Sequence, residues 1–168
     1  MFDKFGEFDS AEEMNKAAAG LLEKGDTDQI EELAKENGID KEDALDYIDG
    51  VAPEFSTPIM AAVGKLAVES RELSLEGILK EWKEYAEEMC TEDEEMRRAV
   101  RRKGKSLKKC MAVLIKFAFE NKVRVSDRIV EETKIMHNGK LEQMRKPLYL
   151  GIPNRTEARK IIRDYYTK

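Results

Sequence analysis

Between Ala99 and Ser106 the chain reads Ala-Val-Arg-Arg-Lys-Gly-Lys-Ser. This is one residue short of the phosphate-binding loop G-x-x-x-x-G-K-S, with alanine where the first glycine belongs. A working loop of that kind follows a buried strand, precedes a helix and wraps phosphates in backbone N–H groups. Here the preceding residues spell a charged, capped helix, and no apolar run ending in Asp follows. Nucleotide hydrolysis is therefore not expected. Nucleophilic chemistry has little to work with either. His137 is the single histidine and lies beside an Asn138-Gly139 turn, and Cys90 and Cys110 fall in apolar phase on helical stretches. They read as a surface histidine and two core thiols. Two Cys and one His fall short of a closed zinc site and show no C-x-x-C spacing. The run Asp40, Glu42, Asp43, Asp46, Asp49 lacks the central glycine and final glutamate of a calcium loop. No catalytic residue, metal ligand set or cofactor is expected, and the chain reads as a binding protein and not as an enzyme.

What it binds is suggested by charge. Eight of the thirteen residues from 97 to 109 are basic: Arg97, Arg98, Arg101, Arg102, Lys103, Lys105, Lys108 and Lys109. On a helix the four arginines share one face, which repels itself unless phosphates or carboxylates lie opposite. A nucleic-acid backbone would satisfy it, with salt-dependent affinity. So would this chain's own front half. Residues 1–96 hold 28 Asp/Glu against 9 Lys/Arg, a net of −19, and residues 97–168 hold 7 against 21, a net of +14, within an overall −5. The segment is either free to grip a partner or neutralised within the molecule.

These residues must be carried by helices. Of 168 residues 41% are hydrophobic, 39% charged and only four are proline, a balance that favours helix and allows a core without disulfides. Start signals recur at Ser10 with Glu13, at Asp26 or Thr27, at Asp40, and at Thr57 with Pro58 behind it. Further ones lie at Ser74, at Thr91 with Glu94, and at Ser106, Ser126 and Asn154 with Glu157. Stops fall at Gly25, Gly38, Gly50 and Gly104. From Ser74, Leu75, Ile78, Leu79, Trp82, Tyr85, Ala86 and Met89 recur at helical spacing, so Trp82 is expected to pack. From Ser106 the stripe Leu107, Cys110, Met111, Leu114, Phe117 and Ala118 marks a central helix. The helix begun at Ser126 is expected to run through Val130 and Met136.

The expected fold is all-α, with seven to nine helices and a minor β-pair between 123–125 and 148–150. An acidic helical unit over 1–52 precedes a main helical domain over 53–168. No stretch of 18 apolar residues is present, and the N-terminus turns acidic at once. No membrane span or secretory signal is expected, and the cytoplasm is the expected location.

Several stretches are similar to small accessory proteins of conjugative elements and phages of gut Clostridia. These are Met1 to Asp9, Glu36 to Asp43, Asp46 to Gly50, Ala99 to Ser106, and Pro147-Leu-Tyr-Leu-Gly-Ile-Pro-Asn-Arg155. In the C-terminal part, Gly104-Lys-Ser-Leu-Lys-Lys-Cys110 opening a helix, with Tyr165-Tyr166 near the end, resembles the PcfK-like proteins, some of which inhibit Cas9. The resemblance implies a mobile-element setting and a protein partner such as Cas9 or its guide RNA complex, and assigns no site residue. The function expected is inhibition of a Cas9-type RNA-guided nuclease by binding it, an anti-CRISPR activity. The alternative is a DNA- or RNA-binding accessory factor of element transfer or regulation, acting through residues 97–109.

Overall fold

Local capping chemistry sets most of the helix boundaries. The computed structural model describes residues 2–168, and its first helix, α1 (Ala11–Glu23), starts where Ser10 Oγ accepts from the Glu13 N–H at 3.2 Å. Asp26 caps α2 (Thr27–Asn37) and Asp40 caps α3 (Lys41–Ile48), each through its carboxylate. Thr57 caps α4 (Pro58–Leu73), with Pro58 in the first turn. Then come α5 (Ile78–Glu92), α6 (Glu94–Arg101) and α7 (Leu107–Glu120), the last capped by Ser106. A mixed segment follows: β1 (Val123–Arg124), α8 (Asp127–Glu132), β2 (Lys134–His137), β3 (Lys140–Gln143) and β4 (Tyr149–Leu150). Asn154 and Glu157 close a full capping box on α9 (Arg155–Thr167). The chain is therefore all-α with nine helices among the described residues, and the expected pairing of 123–125 with 148–150 is present. Val123 faces Leu150 and Arg124 faces Tyr149, antiparallel. No helix among the described residues is long and apolar enough to cross a membrane.

Three boundaries differ from expectation. Ser74 does not start a helix; it ends α4 in the left-handed region at φ +48°, and α5 begins only after Gly77. Thr91 is not a cap, because its hydroxyl donates back to the Glu88 carbonyl within α5. The cap of α6 is Asp93, whose carboxylate accepts from the N–H groups of Glu95 and Met96. The helix after Ser126 stops at Glu132. Lys134–His137 instead pairs with Lys140–Gln143, around Asn138 and Gly139 at φ +51° and +75°. Two successive positive φ values are what a two-residue hairpin of type I′ requires, so the Asn-Gly signal overrides helical continuation.

Two apolar clusters lie on either side of α4. The first gathers Met14, Ala18, Ile30, Leu33, Ala44 and Phe55 with Ala61; the second gathers Trp82, Met96, Val100, Leu114 and Tyr166, among others, with Ala62 and Leu66. Trp82 is buried there, as its helical phase predicts. Between the clusters sits a buried polar group of Asn37, Lys65, Glu69 and Arg101. Burying such groups is costly unless they satisfy one another. Lys65 donates to Glu7 Oε1 at 2.5 Å and to the Arg102 carbonyl at 3.1 Å. Glu69 Oε2 accepts from the Leu107 N–H at 2.7 Å, at the start of α7. Arg101 Nη2 donates to Asn37 Oδ1 at 2.7 Å. This group ties the N-terminal segment, α2, α4, α6 and α7 together.

Candidate interaction surface

The eight basic residues of 97–109 do not form one face. Arg101 points inward and is 2% exposed although it shares its helical phase with Arg97 and Arg98, because Asn37 at the end of α2 lies against it and accepts from its guanidinium. Its guanidinium also lies 5.5 Å from the Phe2 ring. Burial pushes its pKa down to about 10, against the pull of Glu7, Glu69, Glu13 and Asp9. Arg97 folds back to the end of α5 and donates to the carbonyls of Cys90 and Thr91, a favourable place for a cation at a helix C-terminus. Arg98 pairs with Glu94 one turn earlier. Lys103 lies 3.5 Å from Glu13, and its backbone N–H donates to Asp9. Lys105 donates to the Tyr165 carbonyl at the end of α9 and sits over that residue's ring. Lys109 donates to the Gly104 carbonyl. Arg102, Lys108 and Lys109 are exposed and have no carboxylate partner among the described residues.

The rest of the charge separation is partly spent inside the fold. On α9, Arg155 and Arg159 both reach Glu88, Arg159 also reaches Glu92, and Arg163 reaches Asp93 and Glu95. The Arg163 guanidinium holds the Asp93 carboxyl below the usual carboxylate range. Acid residues late in the front half thus clamp the last helix, while some carboxylates on α2 and on or just after α3 have no such partner. Asp28, Glu42, Asp43 and Asp49 are exposed with no cation partner among the described residues.

The chemistry considered for catalysis does not assemble. Residues Ala99 and Val100 are buried in helix α6, where a phosphate loop would need a strand before it. The Ser106 hydroxyl already accepts from the Lys109 N–H as the cap of α7. Cys90 and Cys110 are both buried, and burial pushes each thiol up to about 12, so neither is a thiolate near neutral pH. His137 is exposed on the hairpin, 3.5 Å from Glu142. No cluster of three or more metal-ligating side chains occurs among the described residues.

The most unusual surface was not singled out by sequence. Among the described residues, eleven of the thirteen large hydrophobic residues that are exposed lie between 113 and 152. On α7, Ile115 and Phe119 lie one turn apart on the same exposed face, Phe119 being 68% exposed, and Val113 is exposed on the other flank. Tyr149 and Leu150 on β4 and Ile152 beyond it are exposed as well. Cations are interleaved with them: Lys116, Lys122 (over the Phe119 ring) and Arg124. The segment is fixed at its base by a close backbone approach. A Cβ on Gly151 would lie 2.0 Å from the Ala118 carbonyl oxygen of α7. Exposed hydrophobics scattered singly are ordinary; their concentration in one segment, interleaved with charges, makes this segment the candidate interaction surface. One signal was available in the sequence: α7 is apolar on both faces, and a stripe of Leu107, Cys110, Met111 and Leu114 already accounts for its inner one. Comparison with protein-family models, with curated proteins and with solved structures found no match for the chain.

Proposed function

We propose that the chain is a non-enzymatic binding protein of a mobile genetic element that inhibits a Cas9-type RNA-guided nuclease by docking on it. The observation that carries this is the outward apolar face of α7 and β4 with its interleaved cations, a surface suited to a macromolecule and left unused by the chain's own core. The nuclease class rests on the resemblance of Gly104–Cys110 and Tyr165-Tyr166 to the PcfK-like proteins. Charge suits the role. Such nucleases hold guide and target in cationic channels, and the exposed carboxylates of α2 and α3 can lie where phosphates would. The alternative, nucleic-acid binding through residues 97–109, is left with Arg102, Lys108 and Lys109 as the cations that have no carboxylate partner among the described residues.

The test is plasmid cleavage by a Cas9–guide RNA complex at increasing concentrations of this protein. Cleavage is expected to fall near one equivalent; undiminished cleavage at tenfold excess removes the proposal. Phe119→Asp with Tyr149→Asp is expected to raise the inhibitory concentration about thirtyfold, the ~2 kcal/mol of a central interface anchor. Both side chains are exposed, so the melting temperature should hold. A mobility shift of DNA or RNA at low salt, abolished by replacing Arg102, Lys108 and Lys109 with alanine, would favour the alternative instead.

A further inference from the structure

We infer that β3 is a self-association edge, and that two copies of this chain join their hairpins into a four-stranded antiparallel sheet ordered β2-β3-β3′-β2′. The hairpin contains only two strands, and every residue of both is exposed. Two-stranded hairpins are marginal in water without a further strand or a packed face. One apolar pair is also left open. Met136 stands opposite Leu141, and they are 69% and 63% exposed.

The ladder itself fixes how a second copy would pair. The Met144 N–H donates inward to the Thr133 carbonyl, which continues the register of Lys134 with Gln143 and His137 with Lys140. Backbone groups alternate along an antiparallel strand. Even-numbered positions of β3 therefore face β2, and the N–H and C=O of Leu141 face outward. The unpaired edge of β3 can accept an identical β3 with the two-fold axis at Leu141, so that each Leu141 exchanges both hydrogen bonds with its mate. An isologous contact of this kind closes as a dimer and exposes no further edge of the same type.

Side chains agree with that register. It sets Lys140 of each copy opposite Glu142 of the other, twice, in the non-hydrogen-bonded positions where side chains approach most closely. On the opposite sheet face, Met136 and Leu141 of both copies form one apolar strip. The corresponding edge of β2 fits less well, since centring it on Met136 sets Ile135 against His137. The dimer does not depend on any nuclease, and the sheet edge it uses is separate from the α7–β4 face.

Sedimentation velocity on the full chain from 5 to 200 µM tests this. A reversible monomer–dimer equilibrium is expected, and a monomer throughout the range would overturn it. Lys140→Glu and Glu142→Lys should each weaken dimerisation about tenfold or more by setting like charges opposite. Combining them in one chain should restore it. An equimolar mixture of the two single variants should form a heterodimer more readily than either forms a homodimer. A dimer indifferent to all of these changes does not use this edge. Circular dichroism keeps the comparison to folded chains, and these exposed positions carry no core contact.

Discussion

Gly64→Ala is expected to destabilise the protein by about 3 kcal/mol or more, the upper range of overpacking in a rigid site. For a domain of this size that corresponds to a fall of about 10 °C in melting temperature. Gly64 lies in the middle of α4, where a glycine is normally a liability. Its reason is the approach of α2. A Cβ there would stand 2.4 Å from the Asn37 carbonyl oxygen and 2.9 Å from that of Gly38. Both are backbone atoms and cannot rotate away. Gly38, in the left-handed region at φ +71°, is the stop of α2 and the other half of the contact. Gly20 provides the control. It too is in a helix, but nothing lies within 4 Å of its Cβ position. Gly20→Ala should therefore stabilise, by about 0.5–1 kcal/mol. Thermal melts of the two variants give opposite signs if the α2–α4 contact is as described. A Gly64→Ala variant that melts with the parent would show that the helices can separate freely.

That contrast indicates which features a sequence makes legible. Gly38 was readable as a helix stop, because a stop is decided within a few residues. Gly64 was not, because its constraint comes from a segment 26 residues away. Most caps were readable for the same local reason, including Ser10, Asp40, Thr57, Ser106 and Asn154. Where two local oxygens stood close together the cap was misplaced: Thr91 turns its hydroxyl back to the Glu88 carbonyl, and Asp93, two residues on, accepts from the amides at the start of α6. The hairpin was half legible. Asn138-Gly139 announced the turn, but Lys134–His137 was too short to distinguish from a helix end. The basic segment shows the same limit. Its composition was plain, but whether Arg101 faces solvent depends on Asn37, 64 positions earlier. The exposed face of α7 was visible only as an excess of apolar residues over what one core could cover.

Lys65→Met should cost about 3–5 kcal/mol at pH 7, because it removes one partner of a buried ionic group and leaves the others uncompensated. Lys65 is fully buried and Glu69 is 4% exposed. Burial lowers the Lys65 pKa and raises that of Glu69, and each is held charged partly by the other. Methionine keeps most of the volume but supplies no charge for Glu7 and Glu69 and no donor for the Arg102 carbonyl. The pH dependence follows in sign. A carboxyl whose pKa is raised in the folded state takes up a proton more readily folded than unfolded. Its contribution is most favourable below the ordinary carboxylate range and declines as pH rises through the raised value. Losing the Lys65 ammonium pushes Glu69 further up, so the variant should be less impaired at pH 5 than at pH 7. Adding Glu69→Gln should recover a large part of the loss, since the amide oxygen can still accept from the Leu107 N–H while the buried charge is gone. Urea melts of the parent, the single variant and the double variant at both pH values measure all three effects. If the two substitutions merely add, Lys65 and Glu69 are independent. If Lys65→Met melts within 1 kcal/mol of the parent, the group between the two apolar clusters does not hold them together.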